Sequence, residues 1–163
     1  MRNIGITGHQ HLEKRLKNGW LKKRLFEELS AITEKICAYS SLAIGADQLF
    51  AEVALKSSRD LVAIIPCENY LNTFSSRAQK NYQHILDRCN SIETLDHPAP
   101  SQEAFLHAGQ TIVDRSDILF AVWNGRPAKG IGGTADIVEY ALGKGKKIIH
   151  FDTDMLVVRT LGS

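Results

Sequence analysis

The stretch Ser116–Ala141, SDILFAVWNGRPAKGIGGTADIVEYA, decides the fold. Its opening, Asp117-Ile118-Leu119-Phe120-Ala121-Val122-Trp123, is a nearly unbroken apolar run between polar residues, as in a short parallel strand buried on both faces. A helical pattern follows from about Gly133 to Leu142. Thr134 is its expected N-cap, and Asp136 lies in its first turn, where a carboxylate suits the positive end of the helix dipole. Between strand and helix lie Gly125, Pro127, Gly130, Gly132 and Gly133. Glycines there either make a bare turn or let a phosphate reach the main-chain amides at a helix start, and the motif alone does not separate the two.

The rest of the chain repeats this grammar. Arg2–Thr7, with Ile4 and Ile6 alternating with small residues, predicts a first strand ending at Gly8-His9-Gln10. From about Trp20 to Tyr39, Leu21, Leu25, Leu29, Ile32 and Ile36 recur at three- and four-residue spacings, predicting one amphipathic helix. Ser41–Ile44 reads as a short second strand, and Gly45-Ala46-Asp47 turns the chain into a helix carrying Leu49, Phe50 and Val53. Leu61–Ile65 is a third buried strand that Pro66 ends. A helix over about Thr73–Cys89, a weaker strand at Ser91–Leu95, a helix over Gln102–Asp114 and a last strand at Lys147–Phe151 follow, with Leu156–Val158 able to add an edge. Short apolar strands alternating with amphipathic helices predict one α/β domain over residues 1–163. It would be three-layered, Rossmann-like and doubly wound, with about six mainly parallel strands and helices on both faces. Parallel strands bring the turns at Gly8, Gly45 and Gly132-Gly133 to one rim.

Composition sets bounds on function. In 163 residues, 20 basic side chains nearly balance 18 acidic ones, so no strong field draws the protein to nucleic acid or anionic lipid. The basic cluster Lys14, Arg15, Lys17, Lys22, Lys23 and Arg24 reads as the wet face of a helix. Cys37, Cys67 and Cys89 are an odd number without metal-like spacing, as in a reducing compartment. With no signal-peptide pattern and no apolar run long enough for a bilayer, the expectation is a cytoplasmic protein without membrane attachment.

With these turns in place, the sequence resembles the SLOG superfamily, the Rossmann-like group that joins DprA/Smf to the LOG ("lysine decarboxylase-like") proteins. The resemblance rests on Ile4-Gly5-Ile6-Thr7-Gly8-His9, Ala43-Ile44-Gly45-Ala46-Asp47, and Val113-Asp114-Arg115-Ser116-Asp117 leading to Gly132-Gly133-Thr134. It implies a nucleotide or nucleotide-derived ligand held by glycine loops and helix starts, and a homodimer. LOG-type phosphoribohydrolases carry Pro-Gly-Gly-x-Gly-Thr-x-x-Glu with an arginine on the preceding helix. Here Ile137 stands where the glutamate belongs, and Ala108-Gly109 where the Arg-Lys pair would align, so the LOG catalytic pair is not matched.

The expected ligand-binding residues are Gly8, His9, Gln10, Gly45, Ala46, Asp47, Arg77, Trp123, Gly132, Gly133 and Thr134. Gly132, Gly133 and Thr134 would cradle phosphate, Asp47 would cap a helix or accept a ribose hydroxyl, and Trp123 would stack on a base or finish the core. His9 and His11 lack a third ligand, so neither a metal nor any other cofactor is expected. Nucleotide binding, as in a sensor domain, leads. The alternative is N-glycoside hydrolysis of nucleoside monophosphates, with Asp136 or Glu139 stabilising an oxocarbenium-like sugar. Single-stranded DNA ranks last, because no concentrated basic groove with interleaved aromatics is present.

Overall fold

A computed structural model of the chain describes residues 1–127 and 133–162. One sheet of seven strands runs through it in the order β4-β3-β2-β1-β5-β6-β7. The strands are β1 (Arg2–Gly8), β2 (Ile36–Ser40), β3 (Asp60–Ile65), β4 (Ser91–Thr94), β5 (Ile118–Trp123), β6 (Lys147–Asp152) and β7 (Val157–Leu161). All neighbours are parallel except β6 and β7, which pair antiparallel from Asp152↔Val157 to Ile148↔Leu161. The α/β class and the mainly parallel sheet are as the sequence predicts; the count of about six is corrected to seven, with one antiparallel pair. The extra strand forms because Asp152 builds a turn. Its Oδ1 accepts from the amides of Asp154 and Met155, both at 2.9 Å, and its Oδ2 accepts from Arg159 Nη1 at 2.6 Å.

Strand order reverses between β1 and β5, whose register runs from Ile4↔Ile118 to Gly8↔Val122. Alternate side chains of the central strands feed two cores. Ile4, Ile6, Phe120, Val122 and Phe151 join one side with Leu21, Leu25, Leu29 and Phe50, while Leu119, Ala121 and Ile148 face Ile112, Val113, Ile137 and Ala141 on the other. The first layer holds α1 (Lys14–Leu16), a π-helical turn (Lys17–Leu21), α2 (Lys22–Ser30), α3 (Ala46–Lys56) and α4 (Ser76–Leu86). The second holds α5 (Gln102–Arg115) and α6 (Thr134–Gly143). Phe50, Phe120 and Phe151 meet edge-on or tilted, with ring centroids 5.8 and 5.2 Å apart.

Several boundaries depart from the periodicity. The helix expected over Trp20–Tyr39 stops at Ser30, and Ile36–Ser40, rather than Ser41–Ile44, is the second strand. Ile36 keeps the helical spacing by coincidence; the run Ile-Cys-Ala-Tyr-Ser finds hydrogen-bonding neighbours on both sides, Arg2–Gly5 of β1 and Asp60–Ala63 of β3. Residues 41–44 connect β2 to α3, with Ser41 and Leu42 buried, Ile44 exposed and Leu42 at φ 57°. That left-handed conformation, costly for leucine, is held because Ser40 Oγ accepts from the Leu42 amide at 3.1 Å and Gln48 Nε2 donates to the Leu42 carbonyl at 3.0 Å. The helix expected over Thr73–Cys89 is a short 3-10 turn, Tyr70–Thr73, followed by α4, whose N-cap Ser75 accepts from the Ala78 amide at 3.3 Å. Among the described residues no helix is long and apolar enough to cross a membrane.

Candidate functional site

The carboxyl ends of β1, β2 and β3 open into a cavity of about 710 Å3. Gly8, His9, Gln10 and His11 enter it from the loop after β1, Ser41, Ala43 and Ile44 from the turn after β2, Asp47 from α3, and Gly133 and Thr134 from the start of α6. Three chain segments far apart in sequence thus meet on one wall. Tyr70 and Phe74, Pro66, and Phe105 with Ser101 at the start of α5 supply an aromatic and apolar end. Tyr70 stacks edge-on with Phe74 at 5.1 Å and lies tilted to Phe105 at 6.2 Å.

The loop after β1 is held at three points. The His9 amide donates to the Val122 carbonyl at 3.0 Å, its carbonyl accepts from the Ala46 amide at 3.1 Å, and its Nε2 accepts from the Asn124 amide at 3.2 Å. This contact leaves the proton of neutral His9 on Nδ1, and burial lowers the His9 pKa against the opposing pull of Asn124 and the Asp154 charge. Glycine is needed at two positions to bring the loop down onto α3. Gly45 sits at φ 94° and any Cβ there would lie 2.5 Å from the Gln10 carbonyl oxygen; a Cβ on Gly8 would lie 2.5 Å from that of Ala46.

Asp47 is the acidic group of the cavity wall. It is 9 % exposed, and burial pushes its carboxyl up to about 7, against the lowering hydrogen bond with the Ala43 backbone. Tyr70 beside it is raised well above the usual phenol range, by burial first and then by the charges of Asp47 and Tyr82. At the other end, α6 begins at N-cap Gly133 with no side-chain cap bond, whereas Ser101 caps α5 by accepting from the Ala104 amide at 3.0 Å. The first-turn amides of a helix have no intrahelical partner, and the start of α6 places its own at the cavity wall.

Of the residues expected to bind, Gly8, His9, Gln10, Asp47, Gly133 and Thr134 come together in this cavity. Gly45 and Ala46 lie beneath the β1 loop as its support. Arg77 is exposed in the first turn of α4 and does not line the cavity. Trp123 also stays outside it: its indole Nε1 donates to the Arg126 carbonyl at 2.8 Å, and its ring lies 4.9 Å from that of His150. Gly132 falls outside the described residues. Asp136 and Glu139 of α6 do not line the cavity. The expected N-cap Thr134 is the first helical residue instead, the cap being Gly133. Tyr70, Phe74 and Phe105 escaped the sequence reading because aromatics at loop and helix starts carry no periodic signal. Among the described residues no group of three or more His, Cys, Asp or Glu side chains is placed to hold a metal ion.

A mainly parallel sheet that reverses direction at β1 and β5, helices on both faces and a cavity at the carboxyl ends beside that reversal define a Rossmann-like α/β fold. No protein-family model matches the sequence, and no curated protein matches it. Solved structures do. The DNA processing protein A (DprA) of Streptococcus pneumoniae superposes with a TM-score of 0.63 at 18% identity, covering 91% of this chain and 50% of that one. The Helicobacter pylori DprA, whose structure concerns single-stranded DNA binding, gives 0.62 at 18% identity, covering 91% of this chain and 64% of its own. TM1055 gives 0.62 at 13% identity over 95% of this chain and 79% of that one, and the Moco carrier protein of Chlamydomonas rheinhardtii 0.54 at 14% over 91% and 74%. The chain spans about half the length of the pneumococcal protein and less than two thirds of the H. pylori one. What the chain shares with these structures is the fold.

Proposed function

We propose that this chain binds a nucleotide or nucleotide-derived ligand in the cavity at the ends of β1, β2 and β3, as a sensor domain would. One observation carries the reading: Gly8–Gln10, Asp47 and Gly133-Thr134, from three separate strand ends, line one space of about 710 Å3. The start of α6 at Gly133 and Thr134 presents its first turn to a phosphate, Asp47 offers a carboxyl to a sugar hydroxyl, and Tyr70, Phe74 and Phe105 offer an apolar end to a base. Gly132 belongs to the phosphate cradle and Arg77 and Trp123 to its margins in the same proposal. A ligand that binds only the folded chain stabilises it by about 2.7 kcal/mol at a hundred times its Kd. In a chain of this size that raises Tm by roughly 5–10 °C. Thermal unfolding with a panel of nucleoside monophosphates tests this, and no shift with any of them at millimolar concentration refutes it.

Hydrolysis of an N-glycosidic bond is a second reading, favoured by the buried carboxyl of Asp47, which carries its proton near neutral pH where a leaving base needs one. Asp136 and Glu139, the carboxylates expected from the sequence to stabilise the sugar cation, lie outside the cavity, which weakens this reading against binding. Release of free base by the purified protein, lost in Asp47→Asn, supports turnover; intact monophosphate after long incubation leaves binding alone. Single-stranded DNA, the ligand of the H. pylori protein, is the weaker reading here: no lysine or arginine lines the cavity among the described residues. The homodimer and the cytoplasmic location are part of the same proposal, and light scattering of the purified chain decides the first.

A further inference from the structure

A second cavity, of about 760 Å3, adjoins the first on the other side of the β1 loop. His9 and His11 line both. Leu12, Leu16, Trp20 and Leu156 supply apolar surface to the second cavity, and its charged side chains are Glu13, Arg15 and Asp154. Each cavity is within the range that takes a drug-sized ligand, and each combines apolar wall with a few convergent polar groups. The segment between them is not a loose flap: the amide, carbonyl and ring of His9 are tied to β5, α3 and the loop after β5.

Resting on the nucleotide reading above, we propose that the two cavities form one groove for a dinucleotide, two nucleosides joined through phosphate, with the linker crossing the His9–His11 saddle. One nucleoside lies by Asp47, Tyr70 and Phe74, and the other lies against Trp20. Arg15, on the second side, supplies the cationic side chain that the first cavity lacks among its described residues. Joining two subsites makes the second contact intramolecular, so a ligand spanning both binds more tightly than either half.

The test compares AMP, NAD and a phosphodiester-linked diadenylate by titration calorimetry on the full chain. The last two separate a pyrophosphate linker from a nucleic-acid linker. Gly19 gives a way to plug the second cavity, with the fold of the variant checked by circular dichroism. It lines that cavity, and an added Cβ meets nothing within 4 Å. We expect at least one dinucleotide to bind about tenfold or more tighter than AMP. Gly19→Trp should remove that gain and leave AMP affinity unchanged. Trp20→Ala, with its folding checked by circular dichroism, should act in the same direction. AMP binding with no gain from either dinucleotide, or a gain that survives Gly19→Trp, overturns the two-cavity groove while leaving the nucleotide site standing. Failure of all three ligands to bind removes both.

Discussion

Asp47→Asn should make the protein more stable, and by an amount that depends on pH. Burial raises the carboxyl from 3.8 to about 7 in the folded chain, so the folded state holds its proton where the unfolded chain has released it. Stability must then fall as pH rises through that window: the penalty is absent below 3.8, grows with pH, and is complete above about 7. At about 1.4 kcal/mol per unit, the ionised form costs the fold about 4 kcal/mol. Asparagine keeps the shape and an acceptor for the Ala43 backbone but never ionises. The variant should therefore gain about 4 kcal/mol near pH 8 and less than half of that near pH 5. For a chain of this length those gains raise Tm by roughly 8–16 °C and 3–6 °C. Melting curves of both proteins across that range, without ligand, make the measurement. A Tm difference that stays flat with pH, or a variant less stable than its parent near pH 8, refutes the reasoning. A carboxyl kept at such cost on a cavity wall is itself a mark of a functional position.

Asp152→Ala should lose roughly 2–4 kcal/mol in urea unfolding, because it strips two turn amides and Arg159 of their acceptor. Burial works to raise the Asp152 pKa, but the Met155 and Asp154 amides and the Arg159 guanidinium hold it below the usual carboxylate value. Its contribution is accordingly present above the unfolded value near 3.8 and lost as pH falls through the lower folded one, so parent and variant should converge in strong acid. Gly45→Ala should cost at least about 2 kcal/mol, from a side chain at φ 94° pressed against the β1 loop; an unchanged denaturation midpoint would contradict the packing described. Iodoacetamide near neutral pH should leave the folded protein unmodified by mass spectrometry and label all three thiols in urea. Cys37 and Cys67 are buried, and burial pushes half-buried Cys89 up to about 11; rapid labelling of Cys89 would count against that environment.

The strands announced themselves where they are buried on both faces. Leu61–Ile65 and Asp117–Trp123 needed only their apolar runs, and β3 and β5 match them to within a residue. Ile36–Ser40 was hidden because Ile36 continues the stripe of Leu25, Leu29 and Ile32; what makes it a strand is pairing with β1 and β3, a contact between distant residues that local spacing does not encode. The same holds for the site. Gly8, Asp47 and Gly133 were legible because glycine turns after parallel strands must share a rim. Tyr70 and Phe105 were not, since their place on the wall follows from where the 3-10 turn and α5 dock. Trp123 was read at the strand end, where it stands; its hydrogen bond to Arg126 turns on the loop that follows β5.

The outer strand β4 is four residues long, and Pro98 and Pro100 follow it within one loop. Its Glu93 is tied to Arg115 of α5, leaving little uninterrupted main chain on that flank. An incoming strand from another molecule finds few amides in register to copy and a charged pair in its way. Strand addition at the β4 flank should therefore be disfavoured, and β7, longer and paired only with β6, is the edge at which the sheet remains open to extension.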